Sequence, residues 1–302
     1  MAQTVPTDVI LPTQPARELP AVRSIGMADL RDAFAKGVDD FRAMPTHVIF
    51  LSLIYPIIGL VLGGATFGYN VIPLLYPLAA GFALIGPLAA IGLYELSRRR
   101  ELGLDTSWKH AFDVFHSPSL PALAGLGALL LVIFCIWLAV AHAIYIANFG
   151  IEEQPVALDT FVRQVLTTSA GQNLIMVGNV VGLLFAVLAF SVSLISFPLL
   201  LDRNVGVAVA IITSIKAILK NPITMLLWGL FVAGALAIGS LPFFIGLAVV
   251  MPVLGHSTWH LYRKVVEPDP SPRPEYHPRP RGRHSAADFP VSLFMPTSRD
   301  KD

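Results

Sequence analysis

Five apolar blocks divide this chain, and all but one of its 21 lysines and arginines fall in alternate gaps between them. No motif constrains the fold as tightly. The blocks cover residues 46–65, 71–96, 121–147, 173–200 and 222–262. About 20 helical residues cross the hydrocarbon of a bilayer. The last block is long enough for two crossings, and Gly239-Ser240-Leu241-Pro242 breaks it in the middle. The expectation is an all-α, polytopic membrane protein with six transmembrane helices. Cations accumulate on the cytoplasmic side of such proteins. Placing both termini in the cytoplasm leaves only Arg163 on the outer side. An odd number of spans would break this alternation. The expected location is the inner membrane of a bacterium, with the lipid bilayer as the principal partner.

Composition agrees with lipid as the solvent. The chain is 55% hydrophobic and 14% charged, with a mean hydropathy of +0.68. A soluble domain carries about a quarter of its residues as charges. The formal net charge of +1 points to no nucleic-acid partner. The single cysteine, Cys135, excludes an internal disulfide framework and any CxxC metal or redox motif. The first 24 residues show no leader-like apolar core, so the first span is expected to target the chain.

Three domains are expected: a disordered tail over 1–24, a membrane domain over 25–266, and a proline-rich disordered tail over 267–302. The C-terminal tail carries Arg273, Arg279, Arg281 and Arg283 near the membrane. Within the membrane domain one unit is expected three times, over about 27–100, 107–204 and 205–265. Each unit is a cytoplasmic amphipathic helix, a proline, and a hairpin of two spans ending in charge. The first helix, 27–43, has an apolar stripe of Leu30, Phe34, Val38 and Phe41. The second runs over Trp108 to Phe115 and the third over Val207 to Leu219, leading to Asn221-Pro222. Proline suits the bend where an interfacial helix enters the bilayer. The hairpins end alike, at Glu95 to Arg98, Asp202-Arg203 and Arg263-Lys264. Residues 158–166 have helical spacing and are expected to lie on the outer membrane surface.

The small-residue pairs Gly59 with Gly63, Gly178 with Gly182, and Gly229 with Ala233 allow close helix packing, within the bundle or between copies.

Ionisable residues inside the bilayer are the first place to look for function. No Asp, Glu, Lys or Arg lies in the middle of any expected span. The weak metal candidates are His256 and His260, spaced i, i+4 on one helix face, and His142 in the third span. A third ligand is not evident, so no cofactor is expected. The fourth span is the most polar, with Asn179, Ser191, Ser193 and Ser196. These residues either bond between helices or line a pathway. No nucleotide loop, nucleophile elbow or acid–base set is visible, so catalysis is not expected.

The set Asp29-Leu30-Arg31-Asp32-Ala33-Phe34, Leu93 to Arg100, Phe197 to Arg203 and Gly255 to Arg263 resembles bacterial predicted integral membrane proteins of domain-of-unknown-function family 2189. The resemblance covers about residues 25–266 and implies no activity. The function expected is a non-catalytic interaction or assembly component, with a membrane-protein partner or a second copy of the chain. The alternatives are a permease for a small neutral or lipid-like molecule, and a haem- or metal-binding respiratory subunit.

Overall fold

A computed structural model describes residues 19–44, 72–74, 76–78, 86–150, 158–241 and 245–269. The expected first span, part of the second, the Gly59/Gly63 pair, Pro242 and most of both tails lie outside the described residues. What is described is all-helical, apart from one isolated bridge between Val22 and Val266.

The order begins with α1 (Met27–Ala43), a 3-10 turn (Ile72–Leu74), a single α-helical turn (Gly86–Ala89), α2 (Ile91–Glu101) and a 3-10 helix (Trp108–His116). It continues through α3 (Leu120–Phe149), α4 (Leu158–Thr167), α5 (Ser169–Ser193) and α6 (Ser196–Asp202). The chain then forms α7 (Val207–Lys220), α8 (Pro222–Ser240) and α9 (Leu247–Val265). Among the described residues three stretches are long and apolar enough to span a membrane: α3, α5 with α6, and α8. At 1.5 Å per residue, α3 is about 45 Å long. α5 and α6 form one rod with a break at Leu194-Ile195.

α3 and α5 pack antiparallel. Asn173 Nδ2 donates to Asn148 Oδ1 at one end, and Trp137 stacks at a tilt on Phe185 further along. A Cβ on Gly182 would lie 3.0 Å from the Trp137 ring, so this glycine sets their separation. Gly229 faces the Phe190 ring, whereas Gly178 has no described residue against it. The outward faces of α5 and α8 carry Met176, Leu183, Leu184, Ile223, Leu226 and Leu230, all well exposed. Such a surface suits lipid and would be costly in water. α4 occupies 158–167, where a short amphipathic helix was expected.

The most extensive helix contact joins α1 to α9, at opposite ends of the sequence. The two run antiparallel: Lys264 pairs with Asp29 and Asp32, while Gly37 meets Ser257. The buried stripe of α1 is Leu30, Ala33, Gly37 and Asp40. It is rotated from the expected Leu30–Phe34–Val38–Phe41 face. The reason is steric, because Ala33 and Gly37 let the backbones approach closely. The larger side chains flank that seam, with Phe34 edge-on to Phe231 at 5.1 Å. The outer face of α1 carries Arg31, Lys36, Asp39 and Arg42.

The other two helices that precede spans behave differently. The 3-10 helix exposes Phe112 and Phe115, and α7 exposes Ile212, Ile215 and Leu219.

Candidate functional site

The expected ends of the three units come together at one end of the helices. α2, the end of α6 and the last turns of α9 meet there, with α1 laid across them. The N-terminal segment seals the junction. Arg23 N–H donates to the Val265 carbonyl at 2.7 Å, and Glu267 N–H donates to the Ala21 carbonyl at 2.9 Å. Asn221, at the α7–α8 corner, accepts from Ile25 N–H and donates to the Arg23 carbonyl. Residues 19–24, which the sequence assigned to the N-terminal tail, are thus pinned.

At the centre of this cap is Asp40, 3% exposed. Its Oδ2 accepts from Ser97 Oγ at 2.6 Å and from His260 Nε2 at 2.9 Å. Its Oδ1 accepts from Arg100. Ser97 Oγ also lies 2.7 Å from His256 Nδ1. A hydroxyl has one proton to give. Ser97 gives it to the carboxylate, so Nδ1 of His256 must carry the proton of that bond. Nε2 of His256, completely buried, makes no hydrogen bond among the described residues. The serine therefore stands between the acid and the histidine. A hydrolytic triad needs the histidine in the middle, with its second nitrogen on the nucleophile. Ser97 is also inaccessible. The cluster is a clamp tying α1, α2 and α9 together.

Two further clusters adjoin it. Glu101 accepts from Trp259 Nε1 at 3.1 Å and from Arg263 Nε at 2.9 Å, while Tyr262 Oη donates to Asp202 at 2.6 Å. Glu95 takes a two-pronged hydrogen bond from Arg98, with both contacts at 2.7 Å. Arg99 and His110 meet at Asp113. Two-pronged guanidinium–carboxylate pairs are the strongest of these contacts.

The Asp40 carboxyl is pushed up by burial, but the hydrogen bonds from His260 and Ser97 outweigh this and hold it below its ordinary value of 3.8. A carboxyl lowered on folding adds stability above its unfolded pKa and loses it as pH falls through the folded value. The grip of α1 on α9 is therefore expected to weaken as pH falls below about 4. Amide hydrogen exchange across α1, followed against pH, measures this. Asp40→Asn should reduce the acid-induced change, leaving the share contributed by Asp32, which Lys264 of α9 holds below its ordinary value.

The structure brings together His256 and His260 but not His142. His142 is exposed on α3 and makes no hydrogen bond among the described residues. One nitrogen of each clustered histidine is engaged, by Ser97 and by Asp40. Among the described residues no three His, Cys, Asp or Glu side chains are arranged to hold a metal. The polar residues of the fourth span are also divided. Asn179 is exposed, donates to the Ile175 carbonyl and accepts from Tyr76 Oη. Ser193 and Ser196 are buried, and Ser196 donates to the Val192 carbonyl. Ser191 is half-buried, about 18 Å along the helix from Asn179. Sequence reasoning missed Asp40 and Ser97. The available signal was Asp40 falling ten residues after Leu30, in register with Ala33 and Gly37.

A family model described as predicted integral membrane protein, domain of unknown function 2189, matches residues 74–202. The matched stretch contains Ser97 and Arg100 but not Asp40, His256 or His260. No curated protein and no solved structure matches the chain. The chain is an integral membrane protein with several apolar helices.

Proposed function

We propose that this protein is a non-catalytic interaction or assembly component of a bacterial inner membrane. In this reading it has six spans built as three hairpins, and the charged cap faces the cytoplasm with both termini. One observation carries the proposal. The acidic groups of the cap (Asp40, Glu95, Glu101 and Asp113) bond to donors of the chain itself. Binding or catalysis would instead call for polar groups converging on an open cleft. The apolar outer faces of α5 and α8 are the surfaces left for a neighbour within the bilayer.

The test has two parts. Accessibility of single cysteines to a membrane-impermeant reagent in sealed vesicles should place residue 24 and residue 267 on the cytoplasmic side and residue 163 on the other. Native mass spectrometry of protein extracted from its own membranes should find a defined complex with a second copy or another membrane protein. A solitary chain would overturn the interaction role, and residues 24 and 267 on opposite faces would overturn the six-span arrangement.

A further inference from the structure

The α7 helix presents an outward face that the clamp leaves open. Its inward residues Ala210, Thr213, Ser214 and Ala217 are fully buried. Its outward residues Ile212, Ile215 and Leu219 are exposed, Leu219 at 73%. The apolar exposure runs on without a break into Ile223, Leu226 and Leu230 of α8. A helix apolar on its open side, joined by one residue to a membrane-spanning helix, lies at the hydrocarbon boundary. Lys216 and Lys220 sit one turn apart on this element. Like charges at i, i+4 repel unless an anion offsets them. α7 contains no Asp or Glu. Lys216 makes no ion pair or hydrogen bond among the described residues.

The two lysines line a shallow depression whose other wall is Pro20, Ala21 and Val22, and the described residues that line it include no acid. That wall is fixed by the pairing of Ala21 and Arg23 with the end of α9. Lys220 Nζ donates to the Val22 carbonyl at 2.7 Å, which holds the ammonium in place and leaves two N–H groups free to donate.

We infer that this depression binds the phosphate of an anionic phospholipid headgroup, with Lys216 and Lys220 as its ligands and Ile215 and Leu219 against the acyl chains. Lysines near a membrane surface favour anionic lipid and reach it by extending their stems along apolar surface. The inference rests on the membrane placement of α8 and not on the interaction role proposed above.

The experiment uses the full chain in nanodiscs of equimolar phosphatidylcholine and phosphatidylglycerol, with release into native mass spectrometry. Wild-type protein should retain phosphatidylglycerol preferentially. The double variant Lys216→Gln/Lys220→Gln should lose that preference by on the order of tenfold. Lys216→Arg/Lys220→Arg should keep it. An unchanged preference in the glutamine variant, with its thermal unfolding also unchanged, would overturn the site. Loss of bound lipid on adding millimolar inorganic phosphate would overturn the lipid in favour of a soluble anion. A chain that does not enter the nanodisc would overturn the membrane placement, and the site with it.

Discussion

Replacing Gly37 with leucine is expected to cost about 3 kcal/mol or more, because overpacking a tight seam forces backbones apart. A Cβ at this position would fall 2.0 Å from Ser257 Oγ and 2.6 Å from the Ser257 backbone nitrogen. Rotating the serine relieves only the first contact. The second is backbone, so α1 has to lift from α9. Thermal unfolding in detergent, followed by tryptophan fluorescence, reads the loss, since Trp259 is buried on α9. The control is Gly178→Ala. Among the described residues nothing lies within 4 Å of the added methyl there. Alanine is a better helix former than glycine by about 1 kcal/mol, so no loss of stability is expected. Equal effects at the two glycines would show that α1 does not dock as described.

The second large effect is expected at Asp40. Alanine there removes the common acceptor of Ser97, His260 and Arg100. Breaking a buried ion pair by deleting one partner costs about 3–5 kcal/mol. Arg100 is 40% exposed and can turn to water, which puts the expected loss at about 2–3 kcal/mol. Asp40→Asn keeps the shape and one good acceptor, so it should lose less. Arg100→Ala should lose less still, since Ser97 and His260 continue to satisfy the carboxylate. An order with Arg100→Ala as the most damaging would contradict the clamp.

The helices were legible where their signals are local. The range 27–43 was readable from alternating apolar and charged residues, and α7 from its run up to Asn221-Pro222. The end of α8 at Ser240 was readable because a forty-residue apolar block is too long for one crossing, while Pro242 of the expected turn lies outside the described residues. The cap was not legible. Hydrophobic periodicity selects the bulky face of α1, whereas the actual contact runs along its smallest residues. Ala33 and Gly37 carry little hydrophobic weight but allow the closest approach. A stripe chosen for bulk leaves Asp40 out, although it lies on the buried stripe with Ala33 and Gly37. His256 and His260 were correctly placed on one helix face. Their partners come from helices about 160 and 220 residues away in sequence, which no spacing rule can reach. The meaning of Glu95, Glu101 and Asp202 was similarly hidden. On the sequence they are only charges at the ends of apolar blocks, and only the fold brings Arg263 of α9 to both Glu101 and Asp202.

The pairing of the earliest helix with the last also sets a schedule for biosynthesis. Asp40 and His260 are 220 residues apart. Chains grow at about 5–20 residues per second, so α1 leaves the ribosome roughly 10–45 s before its partner exists. Throughout that interval its carboxylate and its glycine seam are uncovered, while apolar segments are already being delivered to the bilayer. The polar outer face keeps the waiting helix at the water side. Closure of the cap therefore waits until α9 has been made. A pulse-labelled chain should gain protease resistance across α1 only after α9 has been released.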